Sequence, residues 1–270
     1  MSEDYLLNKL EALEALLRSY GRVLLAYSGG VDSSLLAFLG RRALGKNFLA
    51  LTLQHSCYPS WELHNALQFV QNHDIQHALL PFDQLALPQF RENSLRRCYY
   101  CKKAMFALLQ EKARQGEFKL LIDGSNADDQ HDYRPGLQAL AELNVQSPLK
   151  MLGWSKNEVR LASKMLGLSS AELPAYACLA TRIPYQSEIT ADKIAQIEGV
   201  EQLLHELGFQ QCRARHHGDS IRLELPANDQ LSLLKNEEAR LLLLQKAQKL
   251  GLRWLSLDLE PFRSGKMNPA

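Results

Sequence analysis

The sequence predicts an α/β protein, a doubly wound parallel sheet followed by a smaller α+β domain. Three observations carry this reading. Short, continuous apolar runs alternate with stretches of helical periodicity through the first 168 residues. A Gly-Gly turn follows the first apolar run directly. Beyond Pro184 the order changes to a helix, two adjacent strands, a helix and a last strand.

The elements follow in order. Residues 5–18 place Leu6, Leu7, Leu10, Leu13, Leu16 and Leu17 at helical spacing, as an amphipathic helix does. Residues 23–27 form an uninterrupted apolar run, as a strand buried on both faces requires, and residues 33–44 return to helical spacing. Further strands are expected at 48–53, 77–80 and 120–123, with helices at 61–72 and 102–114. The second part reads as a helix at 190–207, strands at 211–216 and 220–225, one helix at 229–250, and a strand at 254–259. The domain expectation is therefore 1–168 for the sheet domain, 169–185 for a linker containing Pro174 and Pro184, and 186–270 for the α+β domain.

Composition bounds the function. A chain of 270 residues, 46% hydrophobic and 23% charged, can bury a full core. A net charge of +1 supplies no general attraction to nucleic acid or to a membrane surface, so neither is expected as a partner. The first residues lack the basic start and apolar stretch of a signal peptide, and no apolar run approaches a membrane span, so a cytoplasmic location is expected. Five cysteines, Cys57, Cys98, Cys101, Cys178 and Cys212, make an odd number and argue against a disulfide framework.

The strongest chemical signal is Ser28-Gly29-Gly30-Val31-Asp32-Ser33, followed by Ser34, between a predicted strand and a predicted helix. Glycines there let the backbone approach an anion, and the unpaired amides of the helix start favour phosphate. The chain has no G-x-x-x-x-G-K-[ST] sequence, so the loop is not built for transfer of a terminal phosphoryl group. Ser28, Gly29, Gly30, Asp32, Ser33 and Ser34 are the candidates for a pyrophosphate group and its Mg2+, with Asp32 either positioning the metal or bracing the loop. Asn126, Asp128 and Asp129 follow the fourth strand, where they can hold magnesium or substrate, or form an Asx turn. Ser155-Lys-Asn-Glu158 has the form of a capping box that opens a helix with Lys156 in its first turn. Arg213 and Arg215 alternate along a strand, so two guanidinium forks share one face and suit a phosphate monoester; Arg182, His216 and His217 are possible companions, and an exposed basic face is the alternative.

The glycine loop resembles the PP-loop of the ATP-pyrophosphatase superfamily, whose adenine nucleotide alpha hydrolase-like members cleave ATP between the α and β phosphates and leave AMP on a substrate oxygen. Lys156 resembles the lysine that these enzymes direct at phosphate. Further motifs narrow the likeness: Arg97-Cys-Tyr-Tyr-Cys-Lys102, Gly124-Ser-Asn-Ala-Asp-Asp129, Asp132-Tyr-Arg-Pro-Gly136, Ala177-Cys-Leu-Ala-Thr-Arg-Ile-Pro-Tyr185, Arg213-Ala-Arg-His-His-Gly218 and Phe262-Arg-Ser-Gly265. Together they resemble the LarE family of sulfur transferases. That resemblance implies adenylation of pyridinium-3,5-dicarboxylate mononucleotide and exchange of carboxylate oxygen for sulfur in nickel-pincer nucleotide cofactor synthesis. It implies that Cys178 delivers sulfur, either sacrificially, leaving dehydroalanine, or as one of three ligands with Cys98 and Cys101 to a [4Fe-4S] cluster. The Cys98–Cys101 pair can also be packing, a zinc ligand pair or a redox pair. A homo-oligomer is implied, while the sulfur donor is not identified. The competing readings are a tRNA thiolase sharing the same loop and a catalytically silent nucleotide-binding regulator. Cys57 and Cys212 carry no motif and are assigned to packing.

Overall fold

The computed structural model describes residues 2–131, 135–174 and 177–263, with the side chains of 130, 131 and 135 left aside. Asp132, Tyr133 and Arg134 of one motif, and Ser264 and Gly265 of another, lie outside the described residues. In chain order the elements are α1 (Glu3–Tyr20), β1 (Val23–Ala26), α2 (Val31–Leu44), β2 (Phe48–Gln54), α3 (Ser60–Asn72), β3 (His77–Pro81), α4 (Pro88–Arg91), α5 (Arg97–Gln115), β4 (Leu120–Ile122), α6 (Pro135–Glu142), α7 (Pro148–Met151), α8 (Lys156–Met165), α9 (Ala191–Glu206), β5 (Arg213–His217), β6 (Ser220–Glu224), α10 (Ala227–Lys235), α11 (Glu237–Lys249) and β7 (Trp254–Leu257). Two compact units result, the first from residues 1–55, 60–82 and 98–176, the second from 56–59, 83–97 and 177–270. Among the described residues no helix is long and apolar enough to cross a membrane.

The first unit is built on a parallel four-stranded sheet in the order β3-β2-β1-β4. Both faces of β1 are buried, which is why its sequence shows no polar alternation. Val23 and Leu25 join Leu13, Leu17, Leu35, Leu36 and Trp154 in one core, while Leu24 joins Phe106, Leu109 and Leu121 in another. Helices thus cover both faces, the doubly wound arrangement expected. Gly40 shows how closely α2 lies on the sheet: a Cβ there would sit 2.2 Å from the Phe48 ring. Strand order reverses between β1 and β4, and the loops leaving the carboxyl ends of such strands form the crevice where ligands bind in open α/β sheets.

The second unit contains a three-stranded sheet, β5-β6-β7, with β5–β6 antiparallel and β6–β7 parallel. Its core includes Ile194, Ile197, Val200, Ala214, Ile221 and Leu223. The single helix expected over 229–250 is two helices. Asn236 adopts extended geometry (ψ 96°), ends α10, and caps α11 by accepting from the Ala239 amide at 3.0 Å. The cap satisfies an amide that the start of α11 leaves without a helical partner, and this local bond overrides the apolar periodicity that runs through the junction.

Candidate active site

The loop between β1 and α2 is closed by its own side chains. Gly29 takes φ +70°, a left-handed conformation that a residue with a Cβ adopts only under strain. The Ser33 hydroxyl donates to the Gly30 carbonyl at 3.1 Å and accepts from the Ser28 amide at 3.3 Å; the Ser34 hydroxyl donates to the Gly29 carbonyl at 3.3 Å. Gly30 caps α2 without a side-chain bond, so the helix N-terminus is presented by backbone amides, the arrangement that receives anions. From the neighbouring β4 end, Gly124 passes so close that a Cβ would lie 3.0 Å from the Ser33 nitrogen.

That close approach brings the two loops' polar groups together. Asn126 donates through Nδ2 to Asp32 Oδ1 at 3.1 Å, and the Lys156 ammonium pairs with Asp32 Oδ2. Asp128 accepts from the Lys156 amide at 2.8 Å, Asp129 accepts from the Asn126 amide at 3.0 Å, and Asn126 Oδ1 accepts from the Asp128 amide at 3.0 Å. The Asx turn considered from sequence is therefore present, and the same residues stand beside the loop. The first unit thus joins one lysine, the Asp32 carboxylate and a helix N-terminus around the switch point of its sheet.

Lys156 is placed by the predicted capping box. Ser155 accepts from the Glu158 amide at 3.3 Å and Glu158 Oε2 accepts from the Ser155 amide at 2.6 Å. From α1, Tyr5 donates to Glu158 Oε1 at 2.9 Å and Lys9 to Oε2 at 3.0 Å. Burial opposes the charge on Glu158, but these donors, led by the Ser155 amide, outweigh it and hold the carboxyl at about 2 against an ordinary 4.5. Because the folded value is depressed, the stabilisation is complete above pH 4.5 and lost as pH falls toward 2. Glu158→Gln is accordingly expected to lower Tm by a constant amount above about pH 5, with the gap to wild type closing steadily in acid; thermal unfolding across pH checks this, and a pH-independent gap would refute it.

The second unit holds Cys178 at the start of a tight turn, Leu179–Arg182. Arg182, only 1% exposed, forms a two-bond ion pair with Glu201 (Nε–Oε1 and Nη2–Oε2, both 2.8 Å) and turns Nη1 onto the carbonyls of Ala177 at 2.6 Å and Cys178 at 3.3 Å. The Thr181 hydroxyl donates to the Cys178 carbonyl at 2.8 Å, and Arg215 Nη1 donates to the Thr181 carbonyl at 3.1 Å. The Cys178 carbonyl is therefore held by Arg182 and Thr181, and Arg215 fastens the turn at Thr181. Cys178 itself has its thiol held down to about 7: the hydrogen bond from the Cys57 thiol is the main cause, burial opposes it, and the Ala180 amide and the charges of Arg97 and Arg182 assist. The shift favours the thiolate, the nucleophilic form.

Arg213 and Arg215 do share a strand, but their surroundings differ. Arg215 is buried and gives Nε and Nη2 to Glu224 Oε2 at 2.9 and 2.8 Å. Arg213 is half-buried, donates to the Cys212 carbonyl at 2.7 Å, and stacks its guanidinium 5.3 Å from the centre of the Phe262 ring. His216 is buried and lies 2.8 Å from Gln196 Oε1. Cys212 is buried, and burial pushes its thiol up, as a packing role requires.

Cys98 and Cys101 lie in the first turn of α5, in the first unit, three residues apart and so on one helix face; Cys98 is exposed and Cys101 buried. Cys178 belongs to the second unit. None of the five cysteines is in a disulfide, and among the described residues no group of three or more His, Cys, Asp or Glu is arranged to hold a metal ion. The groups that sequence reasoning missed are Cys57, Arg97 and Glu201. None lies in a pattern that points to the cysteine turn; only folding brings them there.

The NAD synthase family model matches residues 5–114, the part of the chain containing the glycine loop. An uncharacterized Synechocystis protein, slr1717, is 39% identical over 97% of both chains. Pyridinium-3,5-bisthiocarboxylic acid mononucleotide synthase of Lactiplantibacillus plantarum is 32% identical, over 97% of this chain and 95% of its own. The glutamine-hydrolyzing GMP synthase of Anaplasma marginale is 26% identical over 68% of this chain and 38% of its own. The GMP synthase likeness is partial, whereas that to the mononucleotide synthase spans nearly the whole length of both chains. On that ground the chain belongs to the LarE family, the PP-loop family of the pyridinium-3,5-bisthiocarboxylic acid mononucleotide synthase.

Proposed function

We propose that the chain is an ATP-dependent sulfurtransferase that adenylates a carboxylate of pyridinium-3,5-dicarboxylate mononucleotide, releases pyrophosphate, and replaces the carboxylate oxygen with sulfur in nickel-pincer nucleotide cofactor synthesis. The observation that carries the reading is the convergence of Asp32, Asn126 and Lys156 on the glycine loop at the sheet's switch point. A carboxylate repels nucleophiles and its oxygen leaves poorly; AMP removes the charge and provides a leaving group. The loop amides receive the phosphates of ATP, Lys156 turns to them, and Asp32 faces the magnesium that ATP brings. Arg213 is the first choice for the substrate's own phosphate, because Arg182 and Arg215 are already committed to Glu201 and Glu224.

Cys178 delivers the sulfur. In the sacrificial branch its thiolate attacks the acyl-adenylate and AMP leaves. Removal of the Cys178 Cα proton then expels the thiocarboxylate and leaves dehydroalanine. The residues also fit a thiolate-ligated cluster in donor chemistry, with Cys98 and Cys101 on one face of a helix turn and Cys178 biased toward thiolate. Cys98, Cys101 and Cys178 would hold a [4Fe-4S] cluster, which would supply an open iron position for an extra sulfide. We favour this branch because all three cysteines are present.

The test is pyrophosphate release from ATP·Mg2+. Strong stimulation by the pyridinium dicarboxylate nucleotide, and none by transfer RNA, is expected. The reverse pattern would replace this reading by a tRNA thiolase, and ATP binding without turnover on either would replace it by a silent nucleotide-binding protein.

A further inference from the structure

The segment 56–59 clusters with the second unit although the residues on both sides of it belong to the first. It carries Cys57 to the cysteine turn. The Leu179 amide donates to the Cys57 carbonyl at 3.0 Å. The side chains converge as well, since the Cys57 thiol donates a hydrogen bond to the Cys178 sulfur. Exposure is unequal: Cys57 is fully buried and Cys178 partly exposed. Of these two thiols Cys178 is the more accessible, and Cys57 is its bonded partner.

We propose that Cys57 and Cys178 form a dithiol site for hydroperoxides, closing to a reversible disulfide that keeps Cys178 from irreversible oxidation. The Cys178 thiolate attacks one oxygen of hydrogen peroxide, the O–O bond breaks, hydroxide leaves, and Cys178 becomes a sulfenic acid. Cys57 then gives up its proton and attacks that sulfur; the S–O bond breaks and water leaves. Two electrons pass from the two thiols to the peroxide, and a small dithiol returns them by exchange. With the disulfide closed, Cys178 can neither attack an acyl-adenylate nor ligate a metal. The site rests on the pairing of the two thiols alone and stands or falls apart from the sulfurtransferase reading.

The experiment treats the full-length chain with one equivalent of hydrogen peroxide, quenches with a thiol alkylating agent in denaturant, and maps peptides without reduction. The expected result is loss of two of the five thiols, a linked peptide containing Cys57 and Cys178, and return of all five on adding a dithiol. Cys57→Ser should instead carry Cys178 on to the sulfinic acid, which a dithiol does not reverse. Cys178→Ser should leave Cys57 unoxidised at the same dose, which guards against misreading a Cys57 variant that folds poorly. Cys178 linked to Cys98 or Cys101, or oxidised to sulfinic acid in the wild-type chain while Cys57 remains alkylatable, would overturn the proposal. So would retention of all five thiols.

Discussion

Cys178→Ala is expected to release pyrophosphate from ATP in the presence of the dicarboxylate nucleotide at close to the wild-type rate, and to form no thiocarboxylate. The two halves separate because of where the residues sit. The groups proposed to face ATP, Ser28 to Ser34, Asn126 and Lys156, are all in the first unit, whereas Cys178 is held by Arg182, Thr181 and Cys57 in the second. Removing the thiol removes the nucleophile of the sacrificial route, or the third ligand of the cluster that would carry it, and leaves the adenylating loop intact, so the activated acyl group should end in hydrolysis. Sulfur accounting on the wild-type chain then decides the route. Iron and acid-labile sulfide near cubane stoichiometry in protein purified without oxygen, lost in both Cys98→Ala and Cys178→Ala, supports the three-cysteine cluster. Metal-free active protein that loses the Cys178 sulfur after one turnover establishes the sacrificial route. A Cys178→Ala chain that still makes thiocarboxylate would remove Cys178 from the chemistry altogether.

The legible parts of the molecule are those written in short stretches of chain. An apolar run, two glycines and a return to helical spacing locate β1, the loop and α2 because each depends on neighbours only a few residues away. The same holds for the capping box at Ser155 and Glu158, whose reciprocal bonds span three residues. Alternation correctly paired Arg213 with Arg215 on one strand, but it carries no information about what lies opposite. Glu224, on the neighbouring strand, takes two bonds from Arg215, and Glu201, on α9, takes two from Arg182. Buried guanidinium–carboxylate pairs of this kind are set by tertiary packing, and removing either partner strands a buried charge. Cys57 was unreadable for the same reason, since its contact with Cys178 closes a loop of more than a hundred residues. At Asn236 the failure had the opposite origin: a single local cap outweighed a long periodic pattern.

Lys156→Ala and Asp32→Asn are each expected to slow acceptor-dependent pyrophosphate release by about 10²–10³-fold, the loss typical of one preorganised charge that stabilises a transition state. In the structure the two neutralise each other, and Asn126 holds the second Asp32 oxygen. Neither group is held in place by deep burial, since their side chains are 33% and 18% exposed. Incoming ATP·Mg2+ therefore has a pair to split, with the ammonium moving to phosphate and the carboxylate to the cation. A single substitution takes away one of these two new contacts and leaves its former partner uncompensated, so the penalties share a common part. The double variant should then be less impaired than the product of the two single effects, a coupling expected of groups in direct contact. Steady-state kinetics on the four chains measure it, with kcat carrying the loss if the contacts form in the transition state and KM carrying it if they serve ground-state binding. Strictly multiplicative effects would mean that Asp32 and Lys156 act on separate steps, and an unaffected Asp32→Asn would reduce that residue to a brace of the loop.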